Sequence, residues 1–355
     1  MNRFLIAHDS RGFVASSLKP GAVGKIDIML LKEELEKAGN EVEIVCMHDI
    51  QFPSKYQGWY VIYPSSEDYG LFYKGFLEDI LLRLQMDRAI LLPRFELFRA
   101  HHNKVFMELY KTSLSKPYQT LQSQFLYSVD DVKRLLSEKN ESYPKVLKVA
   151  SGSGSAGVVL AKNEKDAMKK IKKMGTIKYF EYEYSLKRHI RLLLGKIKRK
   201  VSGKNILELP KARQKMVIQK FIPNLTHDYK VLVFFDKYYL LRREVRDRDF
   251  RASGSGKREF PDSFSEIEKS ILEFAKGAYE ELKVPLLSVD IAYDGKQCHM
   301  IEFQCLNFGP YTLQFSECYY MKTADGWQKI EGKSVLEKEM ANSYLKFVSA
   351  IGEPE

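Results

Sequence analysis

Leu286-Leu287-Ser288-Val289-Asp290-Ile291-Ala292-Tyr293, followed after a short polar turn by His299-Met300-Ile301-Glu302-Phe303-Gln304, decides how the rest of the chain is read. Both segments are apolar enough to be buried strands, yet each carries a carboxylate where alternation aims the side chain into one layer. A buried carboxylate is costly unless a cation neutralises it. Asp290 and Glu302, with Gln304 two residues on and facing the same way, therefore form a candidate all-oxygen site for magnesium. A salt-bridged pair is the competing reading.

Upstream, Leu241 to Lys257 sets Arg242, Arg243, Arg246, Arg248 and Arg251 beside the loop Ser253-Gly254-Ser255-Gly256. A guanidinium donates two parallel hydrogen bonds, which suits an anion whose charge is spread over several oxygens. A solvated charged loop is the alternative. Further upstream, Met216-Val217-Ile218-Gln219-Lys220-Phe221-Ile222-Pro223 is an apolar strand that stops at a proline and leads into His227-Asp228-Tyr229-Lys230-Val231-Leu232-Val233-Phe234. The backbone of such a linker can pair with an adenine edge, and an acidic residue just beyond it can accept ribose hydroxyls. A buried core strand accounts for its apolar positions.

Lys145-Val146-Leu147-Lys148-Val149 reads as a strand entering Ser151-Gly152-Ser153-Gly154-Ser155-Ala156-Gly157, and Val158-Val159-Leu160-Ala161 as the strand that leaves it. Small residues let backbone N–H groups come close to phosphate oxygens, and Lys148 adds a point charge. A P-loop would open into a helix and end in Gly-Lys-Ser/Thr, so this hairpin is a different device. Taken alone, it is equally a plain flexible turn.

The first hundred residues alternate strand and helix patterns, with strands expected at 3–7, 41–45, 59–63 and 89–93 and helices at 26–38 and 73–86. That is a small doubly wound α/β unit. Gly21 and Gly24 do not make a Gly-x-Gly-x-x-Gly fingerprint, which argues against a dinucleotide site. Helical spacing returns from His102 to Leu136, broken at Ser115-Lys116-Pro117, and again from Ser265 to Leu282.

At 355 residues the chain predicts two or three globular units, and its net charge of +11 suits a polyphosphate or another anionic partner. The stretch from about Lys187 to Lys215 is the most basic part and predicts an amphipathic helix, for which contact with an anionic polymer or a membrane surface is one reading and a solvated face the other. Cys46, Cys298, Cys305 and Cys318 lack metal-ligand spacing and read as reduced structural thiols. No run approaches the roughly 18 apolar residues of a membrane span, and the start lacks a signal-peptide pattern, so a cytoplasmic protein is expected.

The order lysine, small-residue loop, Gln-x-Phe-Ile, Asp-x-Lys-Val, arginine pair, Phe-Arg-Ala-Ser-Gly-Ser-Gly, Asp and Glu-x-Gln resembles the ATP-grasp superfamily, most closely its glutamate-ligase-like and glutathione-synthetase-like branch. The resemblance covers roughly His102 to Gln314. It implies an α/β and α+β chain: a small doubly wound domain at 1–100, then two α+β lobes that grip ATP. The central lobe would span 101–216, with the lid loop and the basic insertion, and the C-terminal lobe 217–355.

By the same resemblance, Lys104 and Lys148 hold ATP phosphates and Ser151, Gly152, Ser153, Gly154 and Ser155 form the lid over them. Gln219, Lys220 and Ile222 match the adenine hinge, Asp228 the ribose-binding carboxylate, and Lys230 lies on the same strand. Arg243 and Arg251 match the groups that stabilise the transferred phosphoryl or the acyl phosphate. Asp290 and Glu302 match the ligands of Mg2+, with Mn2+ as a substitute. The family's third ligand is asparagine, where this chain has Gln304, with Asn307 as another candidate.

The activity implied is ATP-dependent joining of a carboxylate, free or polymer-linked, to an amine through an acyl phosphate, with a role in bacterial cell-surface polysaccharide or peptide modification as an extension. A phosphotransferase, or a degenerate nucleotide-binding scaffold with a basic polymer-binding or membrane-binding segment, are the rivals. No specific nucleic-acid partner is expected, and the sequence does not set the oligomeric state.

Overall fold

Arg3–His8 (β1) buries Phe4, Leu5, Ile6 and Ala7 in succession, the pattern of a strand covered on both faces. Ile28–Lys37 (α1) follows, capped by Asp27, whose side chain accepts from Met29 N and Leu30 N. Glu41–Cys46 (β2), Tyr60–Ile62 (β3), Phe72–Met86 (α2) and Ile90–Leu92 (β4) complete a parallel sheet in the order β2-β1-β3-β4. Phe95–Ala100 (α3) and Lys104–Lys111 (α4) come next. This computed structural model describes residues 1–14, 26–68, 70–119, 121–128, 131, 142–152, 157–175, 190–191, 194–195, 197–198, 201–202, 213–247, 249–261 and 264–352. Gly21 and Gly24, lid residues Ser153, Gly154 and Ser155, and most of the basic stretch lie outside them.

The chain divides into two compact units, residues 121–221 and the remainder. In the smaller unit Gln124–Ser128 (β5), Lys145–Val149 (β6), Val158–Ala161 (β7) and Arg213–Lys220 (β8) form a sheet ordered β5-β8-β6-β7. Glu164–Gly175 (α5) covers one face, where Leu126, Leu147, Ile171, Met216 and Ile218 are buried together. Helical spacing was expected through residues 124–128; the segment is instead a strand, because antiparallel pairing of Gln124 with Ile218 and Leu126 with Met216 buries its apolar side chains and overrides local periodicity.

In the larger unit His227–Phe234 (β9), Lys237–Glu244 (β10), Arg258–Glu259 (β11), Glu266–Leu282 (α6), Leu286–Tyr293 (β12), Cys298–Gln304 (β13), Tyr311–Phe315 (α7), Cys318–Thr323 (β14), Gly326–Glu331 (β15) and Leu336–Ile351 (α8) follow in sequence. The strands form an antiparallel sheet in the order β13-β12-β9-β10-β14-β15, with β11 added at β10. Ser265 and Glu268 cap α6 reciprocally, and its Ile271, Leu272, Ala275, Ala278 and Leu282 lie on one stripe. That stripe packs on Tyr229, Val231, Val233, Leu287, Val289 and Ile291, each fully or almost fully buried. At about 1.5–3 kcal/mol per buried aliphatic side chain, this face contributes substantially to the unit's stability. Among the described residues no helix is long and apolar enough to cross a membrane.

Candidate functional site

Register places the polar residues of the large sheet. Lys230 lies opposite Asp290, Asp290 opposite Glu302, Ser288 opposite Gln304, and Arg243 opposite Asp228. Because strand side chains alternate, all of these project from the face opposite α6. The same face carries Leu232, Phe234, Tyr239 and Leu286, which are buried against β1, β3 and α8. One end of the face is thus core and the other is charged.

At the charged end, Arg243 Nε and Nη2 donate to Asp228 Oδ1 and Oδ2 at 2.7 and 2.9 Å, and Nη2 also stands 2.9 Å from Asp290 Oδ2. Lys230 Nζ donates to Ser288 Oγ at 2.6 Å and lies 3.4 Å from Asp290 Oδ1. Gln304 Nε2 is 3.5 Å from Glu302 Oε1, and the buried Lys104 Nζ is 4.0 Å from that same oxygen. Burial, with the like charge of Asp290, pushes Asp228 up to about 6, although Arg243 opposes the rise. Asp290 is buried too, but Arg243 and Lys230 outweigh that and hold it below the usual carboxylate range.

The larger unit therefore brings Lys104, Asp228, Lys230, Arg243, Asp290, Glu302 and Gln304 together. Arg251 is placed otherwise: its Nε and Nη2 hold Asp249 Oδ2 at 2.9 and 2.6 Å in the loop after β10. Ile222 is half-buried at the start of this part of the chain. Asn307 donates to Ser65 O and to Glu67 Oε2, at 3.0 and 3.1 Å. Ser288 was not singled out in the sequence, although its position two residues before Asp290 on an alternating strand was the available signal.

In the smaller unit Lys148 pairs with Val217 and Val158, and Gln219 with Val146, so both side chains project from the sheet face that α5 leaves uncovered. Both are buried. Gln219 Nε2 donates to Ser123 Oγ at 2.8 Å. Lys220 N–H donates to Leu121 O at 3.1 Å. Ser151 and Gly152 follow β6, and Gly157, at φ +74, precedes β7.

The described elements form the ATP-grasp fold. Among solved structures, the D-cycloserine synthetase DcsG is similar over 97% of this chain and 99% of its own, with 12% identity and a TM-score of 0.54. D-alanyl-alanine synthetase A from Vibrio cholerae O1 biovar eltor strain N16961 is similar over 98% and 99%, with 13% identity and a TM-score of 0.50. No family model and no curated protein matches the sequence.

Proposed function

We propose that this chain is an ATP-dependent ligase that activates a carboxylate as an acyl phosphate and passes the acyl group to an amine. The observation that carries the reading is the charged sheet face, on which Asp228, Asp290 and Glu302 are balanced by Lys230, Arg243 and Lys104. With protein charges already matched, an added dication would be offset by a polyphosphate, which supports a metal-nucleotide site. Asp290, Glu302 and Gln304 fit magnesium because their donors are hard oxygens, once the Gln304 amide, whose two ends are nearly isosteric, turns its oxygen inward. When bound, the ion supplies charge neutralisation to the phosphates. The two solved structures described above are synthetases by name, in keeping with this reading.

In this mechanism a carboxylate oxygen attacks the γ-phosphorus, the bond to the bridging oxygen breaks and ADP leaves. The amine then attacks the acyl carbon, loses a proton, and expels phosphate. Lys104, Lys148 and the 151–155 loop hold the phosphates. Gln219, Lys220 and Ile222 would meet the adenine, Asp228 and Lys230 follow them in sequence on β9, and Arg243 offsets charge on the transferred phosphoryl group, a task Arg251 could share only by leaving Asp249. The test is hydroxylamine trapping. Incubated with ATP, Mg2+ and a panel of carboxylic acids, the enzyme should release ADP and yield a hydroxamate with one acid. A stable phosphorylated product with no dependence on an amine would instead make it a phosphotransferase, and no acid-dependent ADP release would sink both.

A further inference from the structure

The C-terminal edge of the parallel sheet carries a cluster that the ligase reading does not use. Glu67 lies in the loop after β3, and His101 and His102 lie between α3 and α4. Glu67 and His101 are buried, the latter only 2% exposed, and His102 is mostly covered. One ligand atom from each of the three residues lies within 4.8 Å of the other two.

Both imidazoles face the Glu67 carboxylate at ion-pair distance. His101 Nε2 stands 3.1 Å from Glu67 Oε1, yet among the described residues neither ring nitrogen of His101 makes an aligned hydrogen bond. His102 Nε2 is 3.8 Å from Glu67 Oε2, beyond hydrogen-bond reach. A buried polar group that lacks a well-aligned partner is destabilising unless something else meets it. The three side chains converge on one point, as ligands of a shared ion do. Two atoms bound to one zinc at about 2.0–2.2 Å stand roughly 3–4 Å apart, and the separations of His101 Nε2 from Glu67 Oε1 and of His102 Nε2 from Glu67 Oε2 both fall in that range.

We propose that Glu67, His101 and His102 bind a borderline-soft divalent cation of the zinc type. Two imidazoles and a carboxylate suit such an ion rather than magnesium, and three protein ligands leave one position open. The supporting contacts already exist: Ser65 Oγ donates to Glu67 Oε1 and Asn307 Nδ2 to Oε2, which fixes the carboxylate. The ion ties the loop after β3 to the segment that begins α4, and Lys104 is the first residue of that helix. It is distinct from the oxygen-only set of Asp290, Glu302 and Gln304.

The test uses the full-length chain, free of affinity tags and treated with a chelator. Zn2+ is titrated against a chromophoric competitor, and bound zinc is counted after desalting. The wild type should hold one equivalent. Glu67→Gln and His102→Asn should each weaken it by about tenfold to a hundredfold or more, whereas Glu302→Gln should retain it. Asparagine is chosen because residue 102 sits at φ +54, a conformation asparagine tolerates. Should a variant lose the wild-type circular dichroism or melting transition, Co2+ bound to the wild type decides. Intense visible bands of a low-coordinate, nitrogen-containing site support the proposal, and the weak spectrum of an octahedral oxygen site overturns it. Zinc uptake equal in the wild type and in the folded Glu67 and His102 variants also overturns it.

Discussion

Arg243 grips Asp228 through two parallel hydrogen bonds at 2.7 and 2.9 Å, and both side chains are only 10% exposed. The guanidinium is shared, because Asp290 takes the same Nη2. One cation between two carboxylates cannot satisfy both fully, and Lys230 supplies the remainder to Asp290. Asp228 is the member that gives way: its carboxyl titrates at about 6 in the folded chain, against 3.8 ordinarily.

The sign of the resulting pH dependence follows from linkage. A carboxyl raised in the folded state binds its proton more tightly there, so it adds stability that is complete below the ordinary value and lost as pH rises through about 6. The full span is on the order of 3 kcal/mol. Asp228→Asn removes the titration. The melting temperature of the wild type relative to this variant should therefore fall between about pH 4 and 7. A difference that stays flat across this window would exclude the shift.

Removing the shared cation should cost more than removing either anion. Arg243→Ala leaves Asp228 and Asp290 facing each other in a buried place, and breaking such a pair costs about 3–5 kcal/mol. Arg243→Lys keeps the charge but loses the fork that meets two oxygens of Asp228, so its cost should be smaller. In urea unfolding the double variant Arg243→Ala, Asp228→Asn should be more stable than the sum of the single losses predicts, since the second change removes one stranded charge. Strict additivity would mean that the two residues do not act as a pair.

Much of this face was legible in the sequence because a period of two is simple: a carboxylate inside an apolar strand declares its layer, as Asp290 and Glu302 do. Register was not legible. That Asp290 lies opposite both Lys230 and Glu302, and Arg243 opposite Asp228, depends on hairpin geometry that composition does not encode. The edge strand at Gln124–Ser128 was hidden for a related reason, since its partner Arg213–Lys220 is far along the chain. Glu67, His101 and His102 offered no spacing to notice, because a fold brings them together across separate loops of a parallel sheet.

Gly157 tests the hairpin between β6 and β7. Its φ of +74 is left-handed, and a Cβ built there would stand 2.2 Å from Val149 Cγ2. Val149 N also donates to Gly157 O at 3.0 Å, so the two backbones are fixed against each other. Gly157→Ala should destabilise the smaller unit by about 1–2 kcal/mol from the backbone alone, with the clash in addition. Adding Val149→Ala should relieve the clash and recover part of the loss. Thermal melting followed by proteolysis within residues 121–221 reads this out, and an unchanged transition in Gly157→Ala would show that the close approach is not maintained.

Asp290 and Glu302 face each other across neighbouring strands but stand in different surroundings, and that difference separates function from stability. Asp290 anchors Arg243 and Lys230 at 2.9 and 3.4 Å, so Asp290→Asn should lower both stability and turnover. Glu302 has a side chain 29% exposed and only Lys104 as an ion-pair partner at 4.0 Å among the described residues. An ion pair so loose and open to solvent contributes at most about 1 kcal/mol. Glu302→Gln should therefore melt close to the wild type while ADP release falls by a factor on the order of 10²–10³ and excess Mg2+ fails to restore it. Folding is intact in that variant, so the loss belongs to the chemistry of the face. If Glu302→Gln keeps wild-type turnover, the metal-nucleotide reading of these two strands fails, whereas a parallel loss of stability in both variants would assign the pair to structure.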